Sequence, residues 1–238
     1  VSWRSVIALV LIATVKGLAL AGPTGLNVIP TTDIVQVNSW VGSIQNANTS
    51  FTGTSFFKQP MFVADSQFGL ENWLEAGIDY AQTPDRSSDT AIFNVKAQVM
   101  AEDELQPNLA FGFWNVAQSQ KPGYYVTMSK TLNYDQEQEE RFRAHHRRNR
   151  KLLGCRVHIG MMLDGHGIYQ PFAGTDLQLS ETAVFQADWV QGAGNAATAG
   201  IAYVLPDTRT VLAPALVFSN DTRRFSGILF NISHQFNL

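Results

Sequence analysis

Alternation of apolar and polar residues runs through this chain at a length that few folds can use. In residues 72–82, NWLEAGIDYAQ, one face carries Leu74, Ala76, Ile78 and Tyr80, and the other carries Trp73, Glu75, Gly77 and Asp79. Residues 90–101 place Ala91, Phe93, Val95, Ala97 and Val99 on one face, with Asn94, Lys96 and Gln98 between them. The last run sets Ile228, Phe230, Ile232 and Phe236 against Gly227, Asn231, Ser233 and Gln235. Period two means strands with two unlike faces. Such runs recur at 34–46, 51–63, 69–82, 90–101, 108–118, 123–132, 153–163, 167–178, 182–191, 197–205, 209–218 and 225–237. Many reach ten residues. That exceeds the usual soluble strand of about 5–6 residues and matches the roughly 9–11 residues of a tilted bilayer crossing.

The character of the two faces separates a membrane barrel from a soluble sandwich. The less apolar face holds small and polar residues: Gly77, Asn94, Gln98, Gly112, Thr127, Ser129, Gly174, Asp176, Gln186 and Asp188. The other holds Phe, Val, Leu, Ile and Ala. Lipid suits the second face, and water or a polar network suits the first. In hydrocarbon an open sheet edge leaves backbone groups unpaired, so the sheet must close. A soluble barrel makes the opposite prediction, with apolar side chains inside the cylinder. Trp40, Trp73, Tyr80, Trp114, Tyr124, Tyr169, Trp189 and Tyr203 are placed for interfacial girdles. The expected fold is all-β: a closed antiparallel up-and-down transmembrane barrel of about twelve strands, with ten to fourteen as the range that uncertain strand boundaries allow.

Composition agrees. The 238 residues are 45% hydrophobic and only 16% charged, with 15 Phe. A net charge of −3 gives no reason to expect a nucleic-acid partner. The lone Cys155 excludes an internal disulfide framework. Residues 1–21 combine Arg4, an apolar stretch from Ser5 to Val15, and Ala19-Leu20-Ala21. That reads as a signal peptide cleaved between Ala21 and Gly22. Residues 22–33 carry Pro23 and Pro30, which disfavour a central strand. They form a lead-in segment that crosses or plugs the periplasmic mouth, because Leu26, Val28 and Ile29 are costly to leave in water. The barrel spans 34–238, interrupted by a charged insertion at 133–152.

Chain direction then sorts the connections. Residues 101–107, 179–181 and 206–208 are periplasmic; 83–89, 164–167, 191–197 and 219–224 are outer. The break at 179–182, LSET, reads as a tight turn and 191–198, QGAGNAAT, as a looser loop.

The signal peptide, the alternating strands and the last strand at 225–236 together resemble the single-chain outer-membrane β-barrel proteins of Gram-negative bacteria, porin-like proteins among them. The stretches GPTGLNVIPTTDIV (22–35) and FAGTDLQLSETAVFQADWVQGAGNAATAGIAYVL (172–205) are similar to a narrower group opening on Gly-Leu-x-x-Ile-Pro-Thr, whose members offer no reaction to transfer. The resemblance implies an outer-membrane location, membrane lipid as surroundings, and recognition of the final strand by the barrel-assembly machinery. A terminal aromatic is usual in that group; here Phe236 is followed by Asn237 and Leu238, and His234 interrupts the outward set.

Candidate site residues follow from the inward face. Glu75, Asp79, Lys96, Asp176 and Asp188 are expected to face the lumen. Opposite charges in a narrow barrel either pair and plug it or line a small polar pore, and both remain open. In the insertion, Arg141, Arg143, Arg147, Arg148, Arg150 and Lys151 hold six of the 17 basic residues, a surface for anionic groups. Lipopolysaccharide or a periplasmic partner are its expected counterparts. There is no Gly-x-Ser-x-Gly, His-Glu-x-x-His or phosphate-loop pattern. His158, Asp164 and His166 lack a closed ligand set, so no metal and no cofactor is expected. Ser129 and His158 fall on successive strands, but no third group orients them. The chain is therefore expected not to be an enzyme. The reading is an outer-membrane barrel forming a narrow passive pore for small polar solutes. The alternatives are a sealed structural or binding barrel and a barrel-embedded lipid hydrolase.

Overall fold

The computed structural model describes residues 26–48, 61–82, 90–103, 105–114, 122–132, 154–163, 167–180, 182–192 and 195–238. The expected signal peptide and the charged insertion, with Arg141, Arg143, Arg147, Arg148, Arg150 and Lys151, lie outside the described residues.

Twelve strands follow one another: β1 (Ser39–Asn48), β2 (Met61–Glu71), β3 (Leu74–Gln82), β4 (Thr90–Met100), β5 (Asn108–Trp114), β6 (Gly123–Leu132), β7 (Cys155–Leu163), β8 (Tyr169–Gln178), β9 (Ala183–Val190), β10 (Ala196–Val204), β11 (Thr210–Ser219) and β12 (Phe225–Asn237). Each pairs antiparallel with its neighbours in sequence, and β1 pairs with β12 to close the cylinder. Ten register pairs from Ser39↔Asn237 to Asn48↔Ile228 form that seam. On its outer side Trp40 stacks on Phe236 at 4.5 Å between centroids. His234 does not break the seam: its Nδ1 lies 2.8 Å from Thr210 Oγ1 and its ring meets Phe236 edge-on.

The pleat sorts the faces. Ile44, Phe93, Phe111, Ile159, Ile201, Leu216, Ile228, Phe230 and Ile232 point outward and are 39–51% exposed. Glu75, Asp79, Lys96, Thr127 and His158 point inward with no accessible surface. Apolar outside and polar inside is the reverse of a soluble barrel, and it is the arrangement lipid requires.

Four local expectations are corrected. No break interrupts residues 61–71. Asp65, Ser66 and Gln67 look like a turn, but they alternate across the wall: Asp65 accepts a hydrogen bond from Ser43 inside, and Ser66 accepts one from the Trp40 indole outside. Of the strand expected at 51–63, residues 51–60 lie outside the described residues, and Met61 to Val63 belong to β2. Trp73 is not in a strand; Asn72 and Trp73 make the turn between β2 and β3. Trp114 is not in a girdle. It faces inward and stacks on Tyr125 at 5.8 Å, lying over Gly123, where a Cβ would stand 2.0 Å from the indole. The contrast between LSET and QGAGNAAT is also slight, with four connecting residues (179–182) against five (191–195). At the end of β4, Asp103 organises its turn by accepting the N–H groups of Leu105 and Gln106 at 2.8 and 2.9 Å. The Gln106 bond first, then that of Leu105, holds its carboxyl below the ordinary aspartate range.

Candidate functional site

The site is the lumen, and residues 26–38 run through it. Pro30 has no N–H for a ladder, so the segment cannot join the sheet as a central strand. Instead it begins with a turn closed by Leu26 N–H to Ile29 O at 3.0 Å. Ile29 packs among Tyr125, Met162, Phe172 and Val190, with Leu26, Val28 and Trp114 against the same cluster. Val28 also meets a second cluster of Ala196, Ala215, Val217 and Leu229. Both clusters lie in the half of the barrel away from the C-terminus. The segment then descends past Thr127, which donates to Pro30 O at 3.2 Å. It leaves along β2 through a parallel bridge between Val37 and Gly69, and Asn38 at φ 57 turns it into β1. Asparagine tolerates that left-handed conformation better than most residues.

Wall carboxylates hold this segment by its backbone. Asp188 Oδ2 accepts Val28 N–H at 2.8 Å, and the Thr198 hydroxyl donates to the other Asp188 oxygen. Glu75 Oε2 accepts Val35 N–H at 2.8 Å, while its Oε1 lies 3.1 Å from Lys96 Nζ. Arg156 donates to Asp33 and Thr32 and lies 3.8 Å from Glu102. Asn27 donates to Thr198 at 2.9 Å. Asp188, Thr198, Glu75, Lys96 and Arg156 stand at strand positions whose side chains the pleat aims inward, and Glu102 lies just past β4.

Around these anchors lies a wider polar network. Asp79 accepts from Gln67 at 2.8 Å and from Asn94 at 2.6 Å. Ser129 Oγ lies 2.7 Å from His158 Nδ1, and His158 Nε2 lies 3.0 Å from Asp176 Oδ2. Gln186 completes that row by donating to Asp176 at 3.3 Å. So a hydroxyl, an imidazole and a carboxylate do line up. The register pairs Ser129 with His158, and Asp176 stands two residues beyond Gly174, the partner of His158. The order nucleophile–base–carboxylate is that of an acyl-transfer triad. Yet Ser129 is 1% exposed, on the inner wall, away from lipid.

The five expected lumen residues therefore separate by environment. Glu75, Asp79, Lys96 and Asp188 are buried, and Asp176 is 22% exposed in its side chain. Sequence reasoning missed Asp65, Gln67, Arg156 and Glu102. The alternation carried a signal for Arg156, whereas Asp65 and Gln67 fall in a stretch that reads locally as a turn. Glu102 lies in a connection and had none. Most inward positions from Glu75 to His158 are buried, with Gln98, Thr131 and Arg156 partly exposed. Toward the C-terminal end, Gln186, Ala202, Ala213, Asn231, Ser233 and Gln45 keep partial solvent contact. The lining is thus partly exposed toward one end and packs against apolar side chains toward the other. Among the described residues no group of three or more His, Cys, Asp or Glu is arranged for a metal.

Fold and lumen together define a class: a single-chain transmembrane β-barrel with a filled interior. Among solved structures the chain is similar to the Acinetobacter baumannii outer membrane protein Omp33, at 7% identity and a TM-score of 0.50, over 85% of this chain and 100% of that one. It is also similar to the KdgM porin in complex with disordered oligogalacturonate, at 8% identity and a TM-score of 0.50, over 84% and 99% of the two chains. At these identities the likeness is one of fold. No protein-family model matches the chain, and no curated protein matches it.

Proposed function

We propose that this chain is a bacterial outer-membrane β-barrel that holds a narrow passage for small polar solutes closed with its own lead-in segment. One observation carries the reading: residues 26–38 occupy the lumen, anchored by Asp188 and Glu75, while Glu75, Asp79, Lys96, Thr127 and His158 on the wall have no accessible surface. The end bearing the C-terminus faces the periplasm and opens as a vestibule. The opposite end is sealed by Leu26, Val28 and Ile29. Movement of the segment exposes a lumen lined by Glu75, Asp79, Lys96, Asp176 and Asp188, whose excess of carboxylates favours cations. The final strand β12 is the signal read by the barrel-assembly machinery. The basic run of the insertion, Arg141 to Lys151, joins β6 to β7 at the same end as the C-terminus and so meets an anionic periplasmic partner. The Ser129–His158–Asp176 row is structural. A lipid hydrolase needs its nucleophile on the lipid side of the wall, and Ser129 is on the other side.

Single-channel conductance in planar bilayers at high salt tests the closed passage. The wild type is expected to insert and stay silent, and deletion of residues 22–33 to give discrete steps that Lys96→Glu resizes. An inserted but silent deletion variant leaves a sealed structural barrel. A wild type that conducts like the deletion variant removes the role of the segment. Failure of both to insert, with a monodisperse chain in plain buffer, removes the membrane reading.

A further inference from the structure

A cavity of about 600 Å³ lies on the outside of the barrel, at the end away from the C-terminus. Its lower wall is lipid-facing. Ala197 pairs with Trp189 on one side and Phe218 on the other, so an indole and a phenyl ring flank a floor one methyl high. Its upper wall is polar loop: Gln191, Asn220 and Arg223. The loop is fastened in place. Asn220 Nδ2 donates to Val190 O at 2.7 Å and Gly192 O at 2.9 Å, and its N–H donates to Asn195 O at 3.0 Å. Those bonds tie the β11–β12 connection to the β9–β10 connection. Arg223 sits at φ 51, with its N–H bonded to Ser219 O at 2.8 Å. A non-glycine residue in that region needs such support. The turn fixes where the guanidinium starts from.

Charge selects the occupant. Arg223 and Arg224 are exposed and form no ion pair among the described residues. Asp221 also lines the cavity and offsets Arg223 there, while Arg224, next in the chain and outside the lining, leaves the turn as a whole with one net positive charge. An aromatic-walled trench opening on hydrocarbon, topped by the Arg223 guanidinium with Arg224 beside it in the chain, matches a membrane lipid whose headgroup is an anionic phosphate. Guanidinium forks fit phosphate oxygens, and interfacial aromatics and arginines are the groups that recognise lipid headgroups.

We infer that this cavity is a binding site for a lipid with an anionic phosphate headgroup, its acyl chain lying over Ala197 between Trp189 and Phe218 and its phosphate at Arg223. The inference rests on the membrane-spanning reading above, and the test separates the two. The full chain is reconstituted in vesicles of neutral phosphatidylcholine containing a minor fraction of brominated lipid, either phosphatidylcholine or phosphatidylglycerol. Quenching of Trp189 is obtained by subtracting the signal of Trp189→Phe. Brominated phosphatidylglycerol is expected to be preferred, with roughly fivefold contributed by each arginine near the headgroups. Arg223→Gln with Arg224→Gln abolishes the preference, and Asp221→Asn strengthens it. Ala197→Leu fills the trench on an exposed face, so it folds and lowers quenching by both lipids at Trp189. Equal quenching by the two lipids, or a preference that survives the double arginine change, overturns the site while leaving the barrel in the membrane. No quenching by either lipid overturns the membrane reading beneath it.

Discussion

Lys96→Met should destabilise the barrel more than any exposed substitution. Lys96 and Glu75 are both without accessible surface, 3.1 Å apart, on directly paired positions of β3 and β4. Removing the ammonium leaves a carboxylate in a dry wall. Breaking a buried pair from one side costs about 3–5 kcal/mol, because the remaining charge loses its partner without regaining water. The penalty has a second route here, since Glu75 also accepts Val35 N–H and so fixes the lumen segment. Glu75→Gln combined with Lys96→Met removes both charges and keeps an amide oxygen for that N–H. The double variant should therefore recover most of the loss. The assay is urea unfolding of the refolded barrel in lipid vesicles, followed by heat-modifiable migration and tryptophan emission, with the m-value checked for constancy. A single variant within about 1 kcal/mol of wild type would show that the interior is hydrated enough to solvate a lone carboxylate. A double variant as unstable as the single one would show that packing, not charge, is what Lys96 supplies.

Two further substitutions probe the same interior. In Gly69→Ala the new Cβ would fall 2.2 Å from Gln36 O and 2.4 Å from Val35 O, both backbone, so the lumen segment must move away from β2. A loss of about 1–3 kcal/mol, the usual range for overpacking, is expected with faster protease cleavage near residue 36, and unchanged proteolysis would contradict the close approach. Ser129→Ala strips His158 Nδ1 of its hydroxyl partner. Leaving that buried group unsatisfied should cost about 1–3 kcal/mol with no effect on ester or phospholipid turnover; a folded variant that lost a measurable hydrolytic activity would instead make the row catalytic.

Most of the barrel was legible because lipid and lumen demand opposite side chains from adjacent residues. Where that contrast is strong, as in Ala91 to Val99, the face assignment needs no tertiary information. It fails where an inward polar residue resembles a turn. Asp65-Ser66-Gln67 carries three turn-forming or polar residues in a row, and only the position of Ser43 and Asp79 on neighbouring strands shows that two of them have partners inside. Aromatic residues are ambiguous for a related reason. Trp114 near a strand end fits a girdle by composition, but the parity of β5 turns it inward onto Tyr125. Asp176 joins His158 along a diagonal set by the β7–β8 register, and nothing local in the sequence fixes that register.

The lumen segment lies between these cases. Leu26, Val28 and Ile29 beside Pro30 are too apolar for water and cannot form a central strand, so they require an apolar partner surface away from the sheet ladder. The inward positions supply one. Tyr125, Met162, Phe172, Val190, Val217 and Leu229 all fall on the face that is otherwise polar, and all lie toward the end away from the C-terminus. An inward apolar ring in a barrel of polar lining has no use in a water-filled pore, where each such side chain would face solvent at a cost of about 1.5–3 kcal/mol relative to burial. Matched against three orphan apolar residues on a tethered segment, the ring becomes a socket. That pairing needs no long-range register. It depends only on parity, which the sequence does show, and on reach: the segment is joined to β1 at Ser39, and the ten residues from 29 to 38 span up to about 33 Å when extended, more than enough to cross the lumen. Occlusion of this barrel is therefore written in two separated places, and neither is informative without the other.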